Sequence, residues 1–353
     1  MQKIHPIRLW ILVGISIVFS YLPLIWLFGR SVVYIEETIF SIILLYQAAA
    51  YYFGKYTVDN RLLCIIGLIL FVFILNGSSI KLLVLFLMGI FHAMHLAYYR
   101  KYLRKIFLHY AYALLAIIVV SSFVFGFSES AYWNKNIYAQ VLVLLFVIFL
   151  SYKQYFASLV SFILVLLSYS KTGIILCFFA MFLYVYLRKK ILLSIILLLL
   201  VISAGLFLTI DNTSFTGRTS VWVYALDAIS YSPIVGYSYL SFWDDDLILT
   251  YETFYEIPNA HNGYLDILLS GGILLFLLFA YCLYKMISGS FVILTESKNP
   301  TYLLFILVLG ISLVYNLFES IWFRPYNIYT TLFFLSYILI VPESQKILSK
   351  KRR

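Results

Sequence analysis

The stretch Ile191-Leu-Leu-Ser-Ile-Ile-Leu-Leu-Leu-Leu-Val-Ile-Ser-Ala-Gly-Leu-Phe-Leu-Thr-Ile210 decides the fold class. It carries no charge, and at 1.5 Å per residue its length matches a hydrocarbon layer of about 30 Å. Arg188-Lys189-Lys190 precede it and Asp211 follows it. A basic cluster at one end and an acid at the other mark a membrane-spanning helix that starts on the cytoplasmic side. Outward from this segment the same rule gives spans at 9–28, 38–54, 62–75, 80–99, 106–125, 137–152, 155–169, 172–187, 263–284, 301–318 and 327–341. The pair 155–169 and 172–187 is short enough to be re-entrant. The first span has no small-residue cleavage site after it and is expected to be a retained helix, not a signal peptide.

The composition agrees. Hydrophobic residues make up 64% of the 353, charged residues 11%, and the mean hydropathy is +0.99. A soluble domain carries roughly 25% charged residues, so this chain lacks the polar atoms to cover a water-exposed globule. Its three cysteines, Cys64, Cys177 and Cys282, all lie in apolar runs. They read as packing residues and give neither a disulfide framework nor a metal site.

The net charge of +10 reports topology and not nucleic acid. With the N-terminus cytoplasmic, 19 of the 25 basic residues fall on the inner side, among them Arg61, Arg100, Lys101, Arg104, Lys105, Lys153, Lys285 and the tail cluster. Six fall outside: Arg30, Lys81, Lys135, Lys171, Arg218 and Arg324. This split supports about twelve spans with both termini inside. The expected fold is therefore an all-α polytopic membrane protein. Residues 1–353 form one membrane domain, with a large external loop at 211–261.

The outer cations invite explanation. The segment Thr216-Gly-Arg-Thr-Ser-Val-Trp-Val-Tyr-Ala-Leu-Asp-Ala-Ile reads as a short amphipathic helix with Thr216 as N-cap and Arg218, Trp222, Ala225 and Ile229 on one stripe. Arg218 in the first turn would add its charge to the positive helix end, a pairing that asks for an anion such as phosphate. The plainer reading is an arginine snorkelling at the interface. His261, in Pro258-Asn-Ala-His-Asn-Gly-Tyr-Leu-Asp, sits where the tenth span begins. The helix end there favours an uncharged ring able to accept a proton, set against a purely structural interfacial role. Residues 261, 265, 268 and 272 share a face, and Gly272 would allow close helix approach.

Lys171 occupies the turn between spans 7 and 8, and Arg324, with Glu319 nearby, the last external loop. An isolated cation among apolar residues is either paired or functional, and a Glu319–Arg324 ion pair is the simpler reading. Asp244-Asp-Asp reads as a solvated acidic turn on the wrong side for cytoplasmic nucleotide sugars. Glu36-Glu37 in the first external loop is the competing position for a catalytic acid. His5, His92, His95 and His109 read as structural.

Two of these segments together resemble the bacterial O-antigen polymerase and O-antigen ligase superfamily. The pattern is Gly217-Arg218, then Trp222, then Pro233-Ile-Val-Gly236, and a large external loop ending in His261-Asn262-Gly-Tyr-Leu265. Asn136 matches an Asn common before the sixth span, and Ser170-Lys171 sits where relatives show Ser-Arg. Lys171 keeps a point charge there but not a bidentate fork. The resemblance implies a fold similar to the all-helical (GT-C-like) membrane glycosyltransferases. It also implies metal-independent, cofactor-free, inverting transfer from an undecaprenyl-pyrophosphate-linked oligosaccharide. His261 would handle the acceptor hydroxyl. Arg218, with Lys171 and Arg324, would stabilise the pyrophosphate leaving group. Asn136, Asn262 and Glu319 would contact pyrophosphate or glycan, and a chain-length regulator is an implied protein partner.

The first expectation is thus a capsule or O-antigen polymerase in the bacterial cytoplasmic (inner) membrane. A ligase moving finished glycan to another acceptor comes second, and a lipid-linked oligosaccharide flippase or other transporter third. A transporter would place charges or broken helices near the midplane and carry internal repeats. This sequence has neither repeats nor midplane charges that would favour it.

Overall fold

A computed structural model describes residues 4–20, 42–43, 45–47, 49, 60–125, 135–189, 195, 198, 213–238, 260–296, 299–319, 321 and 327–351. Among these, every regular element is helical. The helices are α1 (Pro6–Val18), α2 (Asn60–Leu75), α3 (Ile80–Tyr98), α4 (Leu103–Phe125), α5 (Lys135–Ser151) and α6 (Tyr155–Leu167). They continue as α7 (Lys171–Leu187), α8 (Thr213–Tyr231), α9 (Gly263–Glu296), α10 (Pro300–Tyr315) and α11 (Ile328–Lys351). A 3-10 turn, Arg100–Tyr102, leads into α4.

Among the described residues, three stretches are long and apolar enough to cross a membrane: Arg100–Ser122, Gly263–Glu296 and Ile328–Lys351. Seven shorter apolar helices of 10–17 residues coincide with other expected spans. The expected span at 38–54, the one at 191–210 and the second half of 9–28 lie largely outside the described residues. Helix α6 has 13 residues, about 20 Å at 1.5 Å per residue, well short of a bilayer core.

Helix α5 is the hub. Val141 through Phe149 are all buried, as a helix apolar on every side must be, and α4, α6, α7 and α10 pack around it. A second group pairs α11 with α3 and α9, and α9 also meets α2. Several hydroxyls inside the bundle turn back onto their own helices. Ser16, Ser151, Ser161, Ser290 and Ser336 each donate to the carbonyl four residues earlier, which satisfies them without water. The histidines outside the site have structural partners. His5 caps α1, His92 bonds Ser16 at 2.9 Å, His95 packs on Tyr46 and Tyr99, and His109 meets the Lys105 carbonyl.

Helix α9 departs from expectation. It is not one continuous rod, because Gly272 takes φ 59° and ψ −159°. The space beside Gly272 admits no second helix. It holds the backbone of the turn after α8, against which a Cβ on Gly272 would collide at Ile234 and Val235. That turn splints the break. Ile273 N donates to Pro233 O at 2.8 Å, Leu274 N to Ile234 O at 3.3 Å, and Tyr237 N to Leu269 O at 2.8 Å. From the end of α2, the Asn76 amide bonds both Val235 O and Ser270 O. The amides and carbonyls freed by the break are thus taken up by another segment, as they must be away from water. Gly236 (φ 68°) completes the joint, since a Cβ there would lie 2.7 Å from the amides of Gly271 and Gly272.

Backbone atoms cannot yield as side chains do, so Gly236→Ala and Gly272→Ala should each destabilise the purified protein by about 2 kcal/mol or more. Gly14→Ala and Gly67→Ala, where nothing lies within 4 Å, should leave thermal unfolding in detergent unchanged or slightly improved. Equal melting of all four variants would show that the joint is not closed as described.

Candidate functional site

The site assembles at one end of the bundle, around a carboxylate. Helix α10 ends at Tyr315, and the chain continues through a tight turn in which Glu319 N bonds Tyr315 O at 2.9 Å. Glu319 is left 8% exposed. Its Oε1 accepts from Arg218 Nη2 at 3.0 Å and from Asn136 Nδ2 at 2.9 Å, and its Oε2 lies 3.0 Å from His261 Nδ1. A carboxylate buried among apolar helices survives only when its lone pairs are met. Here three donors meet them.

Arg218 reaches this turn from α8. The face Val221, Ala225 and Ala228 is buried, while Val223 and Leu226 are exposed, so the expected amphipathic stripe carrying Arg218 inward is present, packed on α9. The expected cap is not. Helix α8 begins at Thr213, so Thr216 lies inside it and Arg218 lies beyond the first turn, where the dipole argument no longer applies. Its charge is answered instead by Glu319. Nη1 donates to Phe318 O at 2.9 Å while Nη2 holds the carboxylate, a two-point grip on consecutive residues that the planar fork makes possible. Two of the five guanidinium N–H groups are used this way.

His261 is held from several directions. It stands two residues before α9 in the left-handed region, φ 49°, an uncommon conformation for a residue other than glycine. Its neighbours fix it there. Ala260 N donates to Asp266 Oδ1 at 3.0 Å, and Trp222 Nε1 donates to Ala260 O at 2.9 Å. Asn262 is the N-cap of α9, its Oδ1 accepting from Tyr264 N and Leu265 N at 3.0 and 3.3 Å. Gly263 N donates to Asn316 O at 2.8 Å, and a Cβ on Gly263 would overlap the Asn316 side chain. The start of α9 is therefore pressed onto the end of α10, which sets the imidazole against Glu319. A carboxylate oxygen only accepts, so Nδ1 is the donor in this contact, and in the neutral ring that leaves Nε2 as the acceptor nitrogen.

A polar chain continues past Glu319. Asn136, in the first turn of α5, gives its amide to Glu319 and accepts from Ser170 Oγ at 3.2 Å through Oδ1. Tyr315 OH holds the Asn136 carbonyl at 3.0 Å. Ser170 caps α7 through Gly173 N at 3.2 Å. Gly173 is pressed onto α5, a Cβ there lying 2.7 Å from Ala139. Lys171 opens α7 beside this chain, partly buried.

The structure thus brings together Arg218, His261, Asn136 and Glu319, with Asn262 as the cap behind His261. The sequence-based partner of Glu319 was Arg324, which lies outside the described residues, as do Glu36, Glu37 and Asp244 to Asp246. Among the described residues, Arg218, His261 and Asn136 take up the Glu319 carboxylate. Sequence reasoning passed over Ser170, Asn316 and Asp266 as parts of the site. For Asp266 a signal existed, since an acid four residues after an N-cap Asn can reach back to the preceding amide. Ser170 and Asn316 depend on contacts between helices distant in sequence.

No curated protein matches the chain. A family model described as O-antigen ligase matches residues 156–280. This stretch holds Ser170, Lys171, Arg218, Trp222, the Gly236–Gly272 joint and His261, and the match over it supports the resemblance to the O-antigen polymerase and ligase superfamily.

Proposed function

We propose that the chain polymerises undecaprenyl-pyrophosphate-linked repeat units into a surface polysaccharide, by inverting glycosyl transfer at the outer face of the cytoplasmic membrane. About twelve spans with both termini inside would set the site on that face. The observation that carries this reading is the His261–Glu319 contact beside Arg218. It supplies a ring nitrogen oriented for proton acceptance next to a cation suited to a phosphate.

In this mechanism the acceptor hydroxyl oxygen attacks the anomeric carbon of the donor glycan. The bond from that carbon to the pyrophosphate oxygen breaks, and the pyrophosphate leaves with the electron pair. The hydroxyl proton passes to His261 Nε2. Glu319 holds the imidazole in the required tautomer and faces the positive charge that develops on it, the division of labour found in His–carboxylate pairs generally. Remaining donors of Arg218, with Lys171, stabilise the charge growing on the leaving group. Asn136 and Ser170 keep Glu319 in place.

A second reading follows from the matched model, described as O-antigen ligase. The same chemistry would then move finished glycan to a different acceptor. The two differ in what accumulates when the site is disabled. Loss of a polymerase leaves a lipid-linked single repeat unit, whereas loss of a ligase leaves long polymer still on its lipid.

His261→Ala should slow transfer by roughly 10²–10⁴-fold, the scale of general acid–base catalysis, with single repeat units accumulating and membrane levels maintained on a blot. Glu36→Gln and Glu37→Gln should leave the polysaccharide ladder intact. A full ladder from His261→Ala beside an empty lane from either glutamine variant would move the base to the first loop.

Arg218→Ala should abolish polymer, and Arg218→Lys should restore only part of it, because an ammonium cannot grip Phe318 O, Glu319 and a phosphate in one plane. Glu319→Gln tests the positioning role. It keeps an oxygen acceptor near His261 but removes the charge, and it should lower turnover by about 10–100-fold while lipid-donor binding persists. Unchanged turnover in Glu319→Gln would reduce that carboxylate to a packing element.

A further inference from the structure

The end of the bundle away from His261 carries a cavity of about 560 Å³, between the start of α2, the end of α3 and the far stretches of α9 and α11. Lys285 in its wall lies 13 residues beyond the Gly272 break, roughly 20 Å along the second part of α9. Arg61, Arg100 and Lys285 all line it, and no Asp or Glu is among its described lining residues. Arg61 Nη1 donates to Gln345 Oε1 at 3.1 Å, and Lys285 Nζ lies 5.5 Å from the centre of the Tyr281 ring.

The rest of the wall is largely apolar. Tyr98 and Tyr281 belong to it and are each 47% exposed, so the cavity opens along the apolar flank of the bundle. A second cavity at the same end, about 600 Å³, also meets three cations, Arg104, Lys153 and Arg188. None of its lining residues is among the exposed large apolar side chains, and it offers a tail no such exit. Three cations above an apolar trough, at a membrane end of the chain, fit a molecule with a phosphate at one end and hydrocarbon at the other.

We propose that the cavity between α2, α3, α9 and α11 holds an anionic phospholipid, its phosphate among Arg61, Arg100 and Lys285 and its acyl chain along the Tyr98–Tyr281 flank. This site is separate from the glycosyl-transfer reading and does not depend on it.

Native mass spectrometry of the full chain, released from nanodiscs of mixed phosphatidylglycerol and phosphatidylcholine, provides the test. The parent should retain phosphatidylglycerol selectively. The triple variant Arg61→Gln/Arg100→Gln/Lys285→Gln should bind it on the order of 100-fold more weakly, at about a kcal/mol per cation near the surface. Lys101→Gln/Lys346→Gln/Lys350→Gln, which removes the same charge from exposed positions outside the cavity, should retain the lipid. Met94→Trp, which fills the wall without altering charge, should expel it, and this variant carries the test if the triple one fails to fold. Equal retention by parent, triple variant and Met94→Trp would overturn the proposal. So would displacement of the lipid by inorganic phosphate alone, which would mark a free-anion site. His261→Ala should keep the lipid, so this result and the transfer assay fail independently.

Discussion

A single buried carboxylate organises the candidate site. Glu319 is bonded by groups 101, 58 and 183 residues away in the chain: Arg218, His261 and Asn136. Each comes from a different helix or helix end, so the geometry of the site is fixed by what a carboxylate needs when water is scarce. Removing one donor from such a cluster leaves the remaining charges uncompensated, and that cost is larger than the worth of any one bond. The same need explains why the end of α10, the start of α9 and the first turn of α5 converge. Gly263 and Gly173, with no Cβ, let those backbones approach closely enough for the side chains to meet.

The proposed chemistry follows from this convergence. A histidine whose Nδ1 faces a carboxylate presents Nε2 outward as an acceptor, and an arginine anchored by two of its donors is rigid before any phosphate arrives. The helices around the cluster keep Glu319 largely out of water, which strengthens both interactions. The polar chain from Ser170 through Asn136 holds the carboxylate from behind, so its orientation does not rest on the histidine alone.

Much of this was legible in the sequence, for definite reasons. Length and lack of charge in the apolar runs marked helices, because a backbone in lipid must satisfy itself. The stripe through Arg218, Ala225 and Ile229 and the start of a helix at Asn262–Gly263 are local patterns, and both appear where the spacing placed them. Three features were not legible. The start of α8 at Thr213 adds three residues before the expected cap, enough to carry Arg218 out of the dipole's reach. The partners of Glu319 depend on tertiary contacts, and the nearest cation in sequence, Arg324, was a natural but local choice. The break at Gly272 read as a small residue for helix packing, because sequence does not distinguish a glycine chosen for size from one chosen for φ.

The splint across that break also bears on how the protein is made. As α9 inserts, the amides of Ile273 and Leu274 and the carbonyl of Leu269 lack partners within their own helix. Their partners are Pro233, Ile234 and Tyr237, which are synthesised earlier. Asn76, earlier still, closes the joint from α2. The chain thus presents the splint before the rod it must mend. A copy in which the 232–237 turn has not docked therefore carries open backbone groups within α9, a stretch long and apolar enough to cross a membrane.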